Sequence, residues 1–267
     1  DAVPAGTDVV MGWTNDTAYP AGAASVASIV SGYDNINNQF AGICNGFNSM
    51  ISYNAAGHSA IWSGSYQWIE GGRALIAAGR GNKVGATGDY GLIVQGDAGI
   101  VSGDHAAILN GLTNSATNDY ALVGNGVSNS ATAVRSTVIN GDTVNVTGTG
   151  STGAGKNLDI SGTYTFVHAF TGAASGDYAS GAGRDIEISG DYSGSWGRDV
   201  STGGDYAYTF GLDANSMFNG ALCLSSGKQQ THGDTQAYTL SCSRRTTGAT
   251  TSSLYASTGP VRYAFIP

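Results

Sequence analysis

The sequence predicts an all-β solenoid, a stack of narrow coils of about 14–18 residues, on three observations. Aligned on a recurring glycine, one column reads Ile29, Ile43, Ile61, Ile76, Ile93, Ile108, Val123, Val138, each three residues before Gly32, Gly46, Gly64, Gly79, Gly96, Gly111, Gly126 and Gly141. The position after each preceding turn is always small (Ala27, Ala41, Ser59, Ala74, Gly91, Ala106, Ala121, Ser136), and it shares a strand face with the Ile/Val ladder. A strict period of 14 then sets Tyr164, Tyr178, Tyr192 and Tyr206 in one column, the last three inside units that begin Gly-Asp-Tyr.

Residues 1–23 read as a lead-in and 24–146 as the first block of coils. A second, shorter strand in each coil is marked by Ile36, Met50, Trp68 and Ile100, with Val84 one place later. Residues 147–163, around VTGTGSTGAGK, read as a connecting loop or irregular coil, 164–216 as the second block, and 217–267 as a β-rich end with longer antiparallel strands at TQAYTLSCSRR and VRYAFIP. The chain stops as if more sequence came after it.

The first block predicts self-association. Outward positions beside the ladder are apolar too: Cys44, Trp62, Val94, Leu109 and Ile139 in one column, Leu75, Leu92 and Leu122 in the other. A strand apolar on both faces needs cover on both sides. Coils this narrow cannot supply it from one chain, whereas copies in a closed cyclic assembly can.

Composition removes several function classes. A net charge of −8 with only three lysines, Lys83, Lys156 and Lys228, argues against a nucleic-acid groove. No run of about 18 apolar residues is present, so no membrane insertion is expected. Cys44, Cys223 and Cys242 have no metal-like spacing and read as buried free thiols, with a Cys223–Cys242 bridge as the alternative. Nor do His58, His105, His168 and His232 show metal spacing, and no cofactor is implied. The segment Gly150–Lys156 imitates a phosphate-binding loop, but Asn157 stands where Ser or Thr would hold magnesium, and LDISGTY does not open a helix.

Two aspartate columns, Asp177/Asp191/Asp205 and Asp185/Asp199/Asp213, are candidates for hydrolysis. The first reads better as turn caps on backbone N–H groups, and Arg184 and Arg198 adjoin the second as ion-pair partners. His58, Arg73, Tyr90, His105, Tyr120 and Arg135 share a corner column, expected as a ladder of stacked long side chains on the surface. Aromatics cluster at Trp62, Tyr66 and Trp68 and again at Trp196, Tyr206, Tyr208 and Phe210. Trp62 and Trp68 fall at core or interface positions, and Tyr66 is expected to be exposed. Flat aromatic faces suit sugar rings, so the candidate glycan contacts are Tyr66, Arg73, Tyr90, His105, Tyr120, Trp196 and Tyr208.

Units such as AGICNGFNSMIS, SAIWSGSYQWIEG, AAILNGLTNSAT and the later GDYA…GRD resemble the head repeats of trimeric autotransporter adhesins (YadA-like β-rolls) and of bacteriophage tail fibres, over roughly residues 24–216. The segment from Gly220 to Tyr255, with Gln230, Gly233, Asp234, Gln236, Tyr238 and Leu240, is similar to a segment that succeeds such repeats in phage fibres. The resemblance implies a homotrimeric, extracellular virion fibre without catalytic residues. Its partners would be other tail proteins and a bacterial surface polysaccharide or lipopolysaccharide. Rival expectations are a depolymerase tailspike, a non-binding virion spacer and a bacterial trimeric adhesin.

Overall fold

The computed structural model describes residues 42–51, 58–227 and 236–240, and before them the backbone of strands at Val9–Val10, Asp16–Thr17, Ser28–Tyr33 and Ile36–Asn37. The fold is a β-solenoid of stacked parallel strands, with no helix among the described residues. Each coil of the first block carries a six-residue strand, such as Leu92–Asp97, and a two-residue strand, such as Ile100–Val101. From Thr137 on, the two merge in four coils, at Thr137–Val146, Thr152–Ile160, Ser180–Ile188 and Gly194–Thr202, and stay separate in two, at Phe166–Ala169 with Gly172–Ala174 and at Tyr208–Leu212 with Asn215–Ser216.

Parallel pairing stacks like residues on like. Ile61, Ile76, Ile93, Ile108, Val123 and Val138 lie in one register, and all are fully buried. Facing them is a second inner column, Ile51, Ile69, Val84, Val101, Ala116, Ala131 and Val146, also fully buried. The second strands lie where the sequence marks them, at Ile36–Asn37, Met50–Ile51, Trp68–Ile69, Lys83–Val84 and Ile100–Val101, and in the last four the inward residue is the second of the pair. Met50 is half-buried, while Trp68 and Ile100 face outward. Both residues of Met50-Ile51, Trp68-Ile69 and Ile100-Val101 are apolar, so hydrophobicity alone leaves the pleat undecided; Val84, preceded by Lys83, marks the true phase.

The coiled region crosses the boundaries expected for it. Val9–Val10 pairs in parallel with Ser28–Ile29, so coiling begins inside the 1–23 lead-in. Thr152–Ile160, expected within a connecting loop or irregular coil, is a strand that pairs with Thr137–Val146 through one register shift, between the partners of Val138 and Gly141. At that bulge the 15-residue step gives way to 14. The ladder looks broken in sequence because Gly153 occupies the inner column, where an added Cβ would lie 2.9–3.0 Å from methyls of Val144, Val146 and Ile160. Those side chains fill the place of the missing one. Gly181 repeats the device under Ile188.

Beyond 216 the strand Ala221–Ser226 adds another parallel rung, and Gln236–Leu240 then pairs with it antiparallel, as expected for TQAYTL. Gln236 finishes the stack with its side chain: Oε1 accepts from Asn215 N at 2.8 Å and Nε2 donates to Asn215 O at 2.9 Å. One amide thus replaces the backbone donor and acceptor that a further rung would offer. Tyr238 OH also donates to Asn215 O, and burial pushes its phenol pKa up to about 12. Cys223 is a buried free thiol raised by burial, whereas Cys44, expected inside, is exposed in the outward column. Cys242 and the remainder of 241–267 lie outside the described residues.

One corner of each coil is polar inside. Asn82, Asn114 and Asn129 are buried three residues after a landmark glycine. Asn129 Nδ2 donates to Gly141 O at 2.9 Å, and its Oδ1 accepts from Val144 N at 3.0 Å. Asn114 repeats this on Gly126 O and Asn129 N, and Asn82 on Gly96 O and Gly99 N. Gln67 occupies the same column and accepts from Asn82 N at 3.1 Å, but its buried Nε2 donates to nothing among the described residues. One extra methylene carries the amide past Gly79 O. Gln67→Asn is expected to restore that bond and stabilise the fold by about 1 kcal/mol, read as a rise of roughly 2–4 °C in melting temperature.

Candidate functional site

Two corners per coil hold non-glycine residues in the left-handed region, a conformation that a single residue adopts only when its surroundings enforce it. At the first, His58, Arg73, Tyr90, His105, Tyr120 and Arg135 have φ between 55° and 59°. Tyr164, Tyr178, Tyr192 and Tyr206 continue the column at 53–56°. Inter-coil backbone bonds hold the corner: Tyr120 N donates to Asp104 O, Tyr192 N to Asp177 O and Tyr206 N to Asp191 O, each at 2.8 Å.

Repetition along the coil axis turns this corner into stacks. His105 lies between Tyr90 and Tyr120, with ring centroids 4.5 and 5.1 Å away. The Arg73 guanidinium covers the outer face of Tyr90 at 5.3 Å, and that of Arg135 covers Tyr120 at 6.0 Å. Tyr164, Tyr178, Tyr192 and Tyr206 form a second stack at 5.4, 4.8 and 5.1 Å. Burial within it, then the neighbouring Tyr178 and Tyr206, raise the pKa of Tyr192. The expected surface ladder is present, and Arg73, Tyr90, His105 and Tyr120 offer ring edges and side-chain tips to solvent while their faces are taken up by one another.

The second left-handed corner carries Tyr66, Asp185, Asp199 and Asp213. Tyr66 is exposed, as expected, and meets Phe47 edge-on at 5.8 Å. Trp62 and Trp68 are exposed too, so neither belongs to the core; Lys83 Nζ sits 4.7 Å over Trp68.

Trp196 and Tyr208 occupy a different surface, the outward face of the long strands. Register links Tyr208 through Gly194, Ser180, Phe166, Thr152, Thr137, Leu122 and Ala107 to Leu92. Trp196 stacks on Phe210 at 4.9 Å and on Tyr208 at 6.1 Å, lying flat over Gly194. With Trp62, Val94, Leu109, Ile139, Phe166, Leu222 and Leu224 they make an exposed apolar stripe along the described stack. The outer face of the short strands changes instead from Trp68 and Ile100 to Ser115, Ser130, Asn145 and Asp159.

The carboxylates serve the turns. Asp177, Asp191 and Asp205 each accept a backbone N–H from the preceding coil (Thr163, Asp177 and Asp191) at 2.7, 2.9 and 3.0 Å. Asp185 and Asp199 pair with Arg184 and Arg198 at 3.1 Å. The lysine of the loop-like segment is engaged as well: Lys156 Nζ is 2.9 Å from Asp142, and this bond holds the carboxyl below its ordinary pKa. No group of three or more His, Cys, Asp or Glu side chains among the described residues could hold a metal ion.

Fold and ladders together define a β-solenoid repeat protein. No protein-family model matches the chain and no curated protein matches it.

Proposed function

We propose that the chain is a structural and host-recognition rod of a bacteriophage tail fibre, working as a homotrimer that adheres to bacterial surface polysaccharide or lipopolysaccharide. The observation that carries this reading is the apolar stripe on the long-strand face. Exposed apolar residues recurring along one strand face mark an association site, and their spread along the stack from Trp62 to Leu224 suits a second copy of the same rod better than an unrelated globular partner. Three equivalent chains in cyclic symmetry cover three such stripes at once. Three weak glycan sites on one rod then gain avidity without strong single contacts.

On this reading Trp196 and Tyr208 pack between chains, which removes them from the glycan contacts and leaves recognition to the corners. The reading is adhesive rather than hydrolytic, since the repeating aspartates are engaged by backbone N–H groups and arginines. The deciding measurement is molar mass by light scattering. About 81 kDa is expected, three times the 27.0 kDa chain, falling to the monomer value when Leu92 and Leu109 are both changed to Glu; a 27 kDa wild-type species overturns the trimer. Binding of the labelled rod to bacterial cells and to purified lipopolysaccharide tests adhesion separately.

A further inference from the structure

Every described ring stack of the first corner has its end faces covered except one. Arg73 and Arg135 close the Tyr90–His105–Tyr120 stack. At the start of the tyrosine stack, the Tyr164 ring lies over Gly150, where a Cβ would be 2.6 Å from ring carbons. At the other end the next residue of the column is Gly220. It keeps the column's backbone, with φ 69° and its N–H donated to Asp205 O at 2.8 Å, but a Cβ there would meet nothing within 4 Å among the described residues. Tyr206 is accordingly 62% exposed against 46% for Tyr192 inside the stack.

We propose that the open face of Tyr206, over Gly220, is a stacking site for one hexopyranose ring; this rests on the reading of the rod as a glycan binder. The stack repeats at 4.8–5.4 Å, so a ring laid on Tyr206 takes the position that a tyrosine at 220 would fill. The flat C–H face of a pyranose suits a phenol face, and the site brings hydrogen-bonding groups for hydroxyls. Asn219 replaces the column's aspartate, using Oδ1 on Asp205 N at 3.0 Å, while its Nδ2 donates to nothing among the described residues. Asp205 spends Oδ1 on Asp191 N, leaving Oδ2 as an acceptor. Donor and acceptor thus stand on adjacent coils, at Asn219 and Asp205. The uncharged amide at 219 also takes the last like charge off the column, so a neutral ring enters without opposing a carboxylate on that coil.

The experiment titrates the full chain with the methyl glycosides of glucose, galactose, mannose and rhamnose, read by saturation-transfer NMR, and measures lipopolysaccharide binding in parallel. At least one glycoside is expected to bind the wild type. Tyr206→Ala removes the platform and Gly220→Tyr fills the step with the chain's own fifth ring; each is expected to weaken glycoside binding at least tenfold. Gly220→Tyr adopts the backbone of the other column tyrosines and is expected to melt cooperatively within a few degrees of wild type, so its loss of binding is not a loss of fold. Wild-type affinity in either variant overturns the site and leaves the glycan reading standing. A wild type that binds lipopolysaccharide but no glycoside overturns the site alone, and one that binds neither overturns both.

Discussion

Gly126→Ala is expected to destabilise the rod by about 4 kcal/mol or more, a loss reserved for a few structural mechanisms. Gly126 has φ 125°, and a Cβ there would stand 1.8 Å from Gly141 O and 2.6 Å from Asn129 Nδ2. Neither neighbour can move aside, because Gly141 O accepts the Asn129 amide and belongs to the next rung. The same contact recurs at Gly111 against Gly126 O and at Gly197 against Gly211 O, at 2.0 and 1.8 Å. This is the physical origin of the glycine landmark: the strand bends at that residue so tightly that the carbonyl of the following coil fills the space of a side chain. Gly220→Ala is the control, with φ 69° and open space around its Cβ; about 1 kcal/mol is expected there, the intrinsic preference of an L-residue against the left-handed region. Denaturant melts of the two variants side by side decide the point. Equal losses would mean that composition, not the coil-to-coil contact, demands glycine.

The parts of this fold that can be read from the sequence are those in which one column carries one chemistry. Ile61, Ile76, Ile93 and Ile108 announce themselves because parallel stacking puts identical environments on top of each other. Aspartates 177, 191 and 205 are legible for the same reason, each capping the coil before it. Legibility fails where two residues share one task. At Met50-Ile51 and Trp68-Ile69 both positions are apolar, so the pattern locates the strand but does not distinguish its inward residue. At Gly153 the column position is empty of side chain and Ile160, at the far end of the same strand, reaches into it from the other inner column, so a continuous core reads as a loop.

The surface is half legible. The corner column from His58 to Arg135 declares itself external by its polarity. Its left-handed backbone gives no signal, since tyrosine and arginine are not residues that prefer it. What holds them there is the coil-to-coil N–H bond and the stacking of rings, neither of which belongs to a single repeat. The tyrosine column shows in the sequence as a period, yet its open end at Gly220 becomes visible only beside Gly150, another glycine of that column, which Tyr164 covers. Two glycines at equivalent positions therefore do different things.

The buried amides recur in sequence three residues after the landmark glycines yet read there as turn residues, and they carry the second large expected effect. Asn129→Ala is expected to cost about 2–4 kcal/mol, because it strips partners from two buried backbone groups, each worth roughly 1–3 kcal/mol when left unsatisfied. Those groups are Gly141 O and Val144 N, which the one side chain bridges at 2.9 and 3.0 Å. A loss under about 1 kcal/mol in equilibrium unfolding would mean that water replaces the amide and that the column is not a structural ladder. Asn129→Asp separates the two bonds. The carboxylate can still accept from Val144 N but has no donor for Gly141 O, and as a buried charge it shifts stability with pH. Burial disfavours the charged form and raises the folded-state pKa above its unfolded value, so the protonated carboxyl, which regains a donor, is the better-tolerated form. The Asp variant is therefore expected to gain stability relative to wild type as pH falls through the folded pKa. An asparagine three residues after a glycine looks, in sequence, like a solvent-facing turn. Inside a solenoid this narrow, a turn has an inner side, and its backbone groups need a side chain to answer them.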